Sequence, residues 1–261
     1  MKIKALNLTA ALLLGLMAVV AAGAEEPTAL SIMQAVYDRP QPADTSGLLT
    51  MTLIDAKGKE RVRSLDQRLA TFGGVEKKIM EFLSPADVKG TSFMNWSYDE
   101  EGRSDDQWIY LPALKRVKRI SSDSKGDAFM GSDFTYDDLA ERHPSRDTHT
   151  IIGTESLDGE ACWIIESKAK DTSEVYSKTV SWISKDRLTG IKRDYYDRKG
   201  ALLKTLTVQE LKTIDGYLMI TVTEMHTIRK NTRTRMVFDD LKLDTGITDD
   251  LFSERTLTRG L

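Results

Sequence analysis

Between about residues 49 and 241, glycine-bearing turn signals cut the chain at intervals too short for ordinary helices. Lys57-Gly58, Gly73-Gly74, Glu101-Gly102, Asp158-Gly159, Lys199-Gly200 and Asp215-Gly216 separate runs of roughly 5 to 12 residues. Within the runs apolar and polar residues alternate, as where Leu49, Met51 and Leu53 interleave with Thr50 and Thr52. A period of two puts one set of side chains on a buried face and the other toward water, and a glycine at the turn accepts the positive φ that a tight hairpin imposes. The pattern predicts strands at 49–54, up to residue 72, and over 77–83, 91–98, 106–111, 148–155, 160–168, 177–184, 188–196, 201–211, 217–228 and 231–241. Consecutive short strands joined by tight turns form an antiparallel meander that closes into a barrel or half-barrel, not βαβ units.

The front of the chain reads differently. Lys2 and Lys4 precede an apolar run over residues 5–20, and Ala22, Gly23 and Ala24 precede Glu25. This is the order of a secretory signal, predicting cleavage after Ala24 and a water-soluble, exported chain over residues 25–261 that forms a single domain. The apolar run falls short of the ~20 residues a membrane-spanning helix requires. Residues 27–38 predict one helix, with Pro27 and Thr28 at its start and Leu30, Met33, Val36 and Tyr37 at helical spacing.

Composition narrows the function. The formal charge of −3 becomes −5 once Lys2 and Lys4 are removed, which gives no electrostatic reason to expect nucleic acid as a partner. The sole cysteine, Cys162, lies in the apolar stretch Ala161-Cys162-Trp163-Ile164-Ile165 and reads as a small buried hydrophobe. His143, His149 and His226 are too scattered for a zinc motif, and Asp123-Ser124-Lys125-Gly126-Asp127 places a lysine where a calcium loop needs a ligand. Acidic pairs such as Asp105-Asp106, Asp137-Asp138 and Asp239-Asp240 fall at predicted turns and strand ends, where solvated charge is the default. No nucleophile elbow, phosphate loop or dinucleotide fingerprint occurs, so we assign no catalytic residue, cofactor or metal. Residues 217–220, Tyr-Leu-Met-Ile, blur the alternation: they suit a strand covered on both faces, and periodicity leaves open whether that cover is ordinary core or a cavity.

The segment 107–139 is the least ordinary. Residues 107–120 read Gln-Trp-Ile-Tyr-Leu-Pro-Ala-Leu-Lys-Arg-Val-Lys-Arg-Ile, and residues 125–139 read Lys-Gly-Asp-Ala-Phe-Met-Gly-Ser-Asp-Phe-Thr-Tyr-Asp-Asp-Leu. Aromatics in a stretch this rich in Gly, Ser and Asp need somewhere to bury, and the lid or mouth of a pocket supplies it. Thr135 and Asp138 predict a capped helical turn over 136–141. Lys115, Arg116, Lys118 and Arg119 interleave with Leu114, Val117 and Ile120. They form a basic edge that either discourages strand addition or meets a partner or an anionic headgroup.

At this block, over residues 108–120 and 126–139, the chain resembles the LolA-like family of outer-membrane lipoprotein-sorting proteins, in a diverged branch. The Ile32-Met33 helix, the first hairpin and the closing Leu251-Phe252-Ser253 segment extend the resemblance over the rest of residues 25–261. The resemblance implies a mainly β fold with a few helices: a curved, antiparallel, incomplete β-barrel with helices covering a hydrophobic cavity for acyl chains. It also implies a periplasmic carrier of lipid or lipoprotein that needs no cofactor. Its partners would be an inner-membrane transporter of the resistance-nodulation-division type or an outer-membrane acceptor. Trp96, Trp108, Tyr110, Phe129, Met130, Phe134 and Tyr136 are the expected cavity or lid residues. Competing readings are an accessory subunit docking on a transporter through the basic edge and, last, an envelope hydrolase.

Overall fold

The computed structural model describes residues 26–100 and 102–261, so the expected signal over residues 1–24 lies outside the described residues. Thirteen strands form one antiparallel sheet: β1 Asp44–Ile54, β2 Glu60–Phe72, β3 Val75–Ser84, β4 Ser92–Tyr98, β5 Asp106–Leu111, β6 Arg116–Arg119, β7 Asp147–Leu157, β8 Glu160–Ala169, β9 Lys178–Ser184, β10 Gly190–Tyr196, β11 Leu202–Ile214, β12 Tyr217–Thr227 and β13 Thr232–Leu243. The order across it is β6-β5-β4-β3-β2-β1-β13-β12-β11-β10-β9-β8-β7. Two meanders are therefore joined where β1 pairs with β13, and the free edges are β6 and β7, consecutive in sequence and at opposite ends of the sheet. The sheet is an incomplete barrel, as the turn grammar and the resemblance predict. Predicted and observed strand limits differ mainly by extension: β1 begins at Asp44, ahead of the predicted start at 49, and β11 and β13 run two or three residues past their predicted ends.

Curvature has a local source at the junction. The β1–β13 register slips between Ser46 and Leu48, and Gly47 occupies the slip. A Cβ there would lie 3.0 Å from Leu241 Cδ2 and 3.1 Å from the Asp239 carbonyl oxygen, so only glycine lets the strands come this close.

Because β6 and β7 sit at opposite edges, residues 120–146 must travel from one edge to the other. They do so as a strap across the concave face, with single 3₁₀ turns at Ser122–Ser124, Phe129–Gly131, Asp137–Leu139 and Pro144–Arg146. The main core is the strap packed into the trough: Phe129 and Phe134 meet Leu49, Met51, Leu65, Met80, Phe82, Phe93, Met225 and Met236. Helix α1, Ala29–Tyr37, capped by Thr28 Oγ1 accepting from the Ser31 N–H at 3.1 Å, lays Ala29 and Ile32 against Ile165 of β8 and Ile183 of β9. A short helix α2, Glu254–Arg259, which the alternation did not predict, belongs to the convex face: Phe252 and Leu257 cover Ala70, Ile79 and Met94. Cys162 is fully buried, as expected.

Candidate functional site

The strap is built to stay seated. At its tip Met130 (φ 49°) and Gly131 (φ 74°) reverse the chain in the left-handed region. Arg63 Nη1 donates to the Met130 carbonyl at 2.5 Å. Asp133 then accepts hydroxyl hydrogens from Thr227 at 2.5 Å, from Thr232, and from Thr234 at 2.8 Å, tying the strap to the β12–β13 hairpin. The reciprocal bonds of the predicted cap form, around a 3₁₀ turn at Asp137–Leu139 that is shorter than the expected 136–141: Thr135 Oγ1 accepts from the Asp138 N–H at 3.2 Å, and the Thr135 N–H donates to Asp138 Oδ2 at 2.6 Å. Asp138 also pairs with Lys204 of β11 and accepts from the Tyr176 hydroxyl at 2.9 Å, both charged side chains being at most 3 % exposed. On the other flank Gln107 Nε2 donates to the Tyr136 carbonyl at 2.8 Å, and Lys78 Nζ donates to the Leu139 carbonyl at 2.9 Å. Phe129 completes the seat, its ring 5.3 Å from Phe93 and 5.7 Å from Tyr136 between centroids.

Two cavities flank the strap and share Asp138, Ala140 and Glu141 as their common wall. The first, about 400 Å³, is mostly apolar: Leu49, Leu69, Met80, Phe134, Leu218, Ile220, Met236 and Phe238 line it, with Arg39, Gln41, Gln67, Glu76 and Lys78 among its polar groups. The second, about 300 Å³, is polar, and lies between α1, the strap and β7–β10. Most of its charges are already paired. Arg142 meets Asp147 at 2.6 Å and Glu174 at 3.2 Å, and Arg146 meets Glu174 at 2.8 Å. Burial opposes the charge on Arg142, yet Asp147 and Glu174 outweigh it and raise the guanidinium's pKa. Asp137 is pushed up to about 6, chiefly by burial and then by Glu174 and Asp138. Glu141 is pushed up to about 7 by burial of its carboxyl and by Glu76, although the residue as a whole is exposed. His149 is fixed by Ser167 Oγ at 2.8 Å and the Pro144 carbonyl at 2.9 Å. A pocket whose arginines are held by ion pairs is an electrostatic joint under α1, whereas the apolar one has the character of a site for hydrocarbon.

The sequence-predicted site residues divide into three groups. Phe134 borders the apolar cavity. Phe129, Met130 and Tyr136 pack in the core around the strap instead of lining open space. Trp96, Trp108 and Tyr110 require a correction: they pack with Phe252 and Leu257 on the convex face, because Trp96 shares the parity of Met94 on β4 and Trp108 and Tyr110 of β5 stand opposite Met94 and Ser92, while Phe93, Asn95 and Ser97 face the strap. Trp96 and Trp108 meet edge to face there at 5.3 Å, and Lys77 lies 4.3 Å over the Trp96 ring. Lys115, Arg116, Lys118 and Arg119 are exposed on the β6 edge, Arg119 paired with Asp106. The sequence reading missed Arg39, Gln67, Lys78, Leu69 and Phe238. Leu218 and Ile220 were signalled by the blurred alternation at 217–220.

A family model described as an uncharacterized protein matches residues 74–259. Among solved structures, a putative outer membrane lipoprotein-sorting protein domain from Vibrio parahaemolyticus is 33 % identical, with 88 % of this chain and 98 % of that one aligned at a TM-score of 0.83. A DUF1329 family protein from Desulfovibrio piger is 31 % identical, covering 88 % of this chain and 97 % of that one at 0.84. A LolA superfamily protein from Nitrosomonas europaea, 21 % identical over 88 % of this chain and 99 % of that one, shares the fold at 0.69. No curated protein matches the sequence. Both the half-barrel and the relatives above 30 % identity agree with the motif resemblance, and the chain belongs to the family of the DUF1329 protein and the putative outer membrane lipoprotein-sorting domain, a diverged branch with the LolA-like fold.

Proposed function

We propose that the protein is a periplasmic, non-catalytic carrier that takes the acyl chain of a lipid or lipoprotein into the apolar cavity beside the strap and moves it across the envelope. The observation that carries this reading is the cavity of about 400 Å³ lined by Leu69, Phe134, Leu218, Ile220 and Phe238. Hydrocarbon gains about 0.8 kcal/mol for each CH₂ taken from water, so one chain gives affinity that is useful and still reversible. Export rests on the sequence, with residues 1–24 as a cleaved signal and residues 25–261 as one carrier domain. Among the described residues no helix is long and apolar enough to cross a membrane. The relatives support a carrier over an enzyme, since one of them is described as a lipoprotein-sorting domain.

Native mass spectrometry of the exported protein, followed by organic extraction and lipid analysis, tests the reading. The carrier should retain a stoichiometric acylated molecule or take one up from micelles, and a protein that stays empty under both conditions ends it.

A second reading has its own observation. β6 is a free edge of the sheet, and Lys115, Arg116 and Lys118 stand exposed on or beside it. An accessory subunit of an inner-membrane lipid transporter would dock there through an acidic surface. Stable co-purification with such a transporter, lost when these three residues become Glu, would favour it over a free shuttle.

A further inference from the structure

At the rim of the apolar cavity, Arg39 follows the C-terminal end of α1 and lines the wall. Among the described residues its buried Nε and Nη1 find no hydrogen-bond acceptor, and no carboxylate lies within ion-pair distance of the guanidinium. Burial is the only cause acting on its pKa, and it lowers it. Native folds rarely strand buried donors, and least of all charged ones, unless a partner arrives from outside. Lys78, the other cation on this wall, is already engaged. Lys78 Nζ is shared between the Leu139 carbonyl at 2.9 Å and Glu76 at 3.6 Å. Glu141, which lines the same cavity, titrates near neutrality, so its opposition to an anion is only partial there.

Resting on the carrier reading, we propose that Arg39 is the headgroup anchor of the cavity and that the cargo is an acyl amphiphile with an anionic oxygen head, carboxylate or phosphate. The planar fork of a guanidinium matches either group with two parallel hydrogen bonds, which Lys cannot reproduce. The tail would continue from that point among Leu69, Phe134, Leu218, Ile220 and Phe238, as the wall is apolar away from the rim. Head and tail are thus recognised by different residues, and their contributions can be separated.

The test uses the exported, purified protein and the fluorescent cis-parinaric acid beside its methyl ester, titrated into wild type, Arg39→Gln and Arg39→Lys. Wild type should bind the acid at least about tenfold more tightly than the ester, the size of one charge-assisted hydrogen-bonded contact. Arg39→Gln should abolish that preference and leave ester affinity unchanged, with Arg39→Lys in between. Displacement by dioleoylphosphatidic acid but not by palmitate would assign the head to phosphate, and the reverse to carboxylate. Displacement by inorganic phosphate alone would overturn the amphiphile. Equal binding of acid and ester by wild type, or an equal loss of both in Arg39→Gln, would overturn the anchor while the carrier reading stands. Failure of both probes to bind would overturn the two together.

Discussion

The Lys204–Asp138 pair, deep under the strap, offers the most informative perturbation. Each side chain is at most 3 % exposed, so neither charge can turn to water when its partner is removed. Asp138→Asn leaves the Lys204 ammonium with the Asp133 carbonyl at 3.3 Å and the faces of Tyr176 and Tyr195, about 5 Å away, which together fall short of an anion. Loss of one partner from a buried pair costs about 3–5 kcal/mol, a large share of the ~5–15 kcal/mol that holds a domain folded. Lys204→Met should cost less, roughly 2 kcal/mol, because Asp138 keeps the Tyr176 hydroxyl, the Thr135 N–H and the Thr135 hydroxyl as donors. The double variant should be no less stable than Asp138→Asn alone, giving a coupling of about 2 kcal/mol, which urea denaturation of the four proteins at one pH measures. Single effects that add to within about 0.5 kcal/mol would refute the idea that this pair acts as a unit to seat the strap.

Phe129→Ala empties a fully buried site between Phe82 and Phe93 and should cost about 3–5 kcal/mol in the same assay. Gly47→Ala forces a methyl against Leu241 and the Asp239 carbonyl, and should lower stability by about 1–3 kcal/mol, where a surface-like effect near zero would contradict the close approach at the bulge. Asp137 and Glu141 hold raised pKa values, about 6 and about 7, so the folded state binds protons more tightly than the unfolded chain. Their contribution is therefore fully present below about pH 4 and is lost as pH rises through about 7, and Glu141→Gln should flatten the fall in urea midpoint over that window. Replacing Lys115, Arg116 and Lys118 by Glu should leave that midpoint within experimental error, because all three are exposed and form no ion pair among the described residues.

The strand pattern was legible because alternation and glycine turns are local signals, carried by Leu49, Met51, Leu53 and the six turn dipeptides. The cap between Thr135 and Asp138 was legible for the same reason, its partners being three residues apart. What alternation could not supply was which face of each strand meets the strap. Trp96, Trp108 and Tyr110 looked like pocket residues by type, yet their parity sends them to the convex side, where a C-terminal segment some 150 residues away covers them. Arg39 was invisible as well. Its significance is that no described residue pairs with it, and that lack emerges only when β3, the strap and α1 are brought together.

The central claim is that the apolar space beside the strap receives hydrocarbon. The direct measurement is photolabelling of the exported protein with a fatty acid carrying a diazirine at its tail, followed by peptide mapping. The account predicts label on peptides holding Leu218–Ile220 and Met236–Phe238, since these residues line the cavity. Label confined to the convex cluster around Trp96 and Trp108, or labelling that excess unlabelled fatty acid fails to suppress, would contradict it.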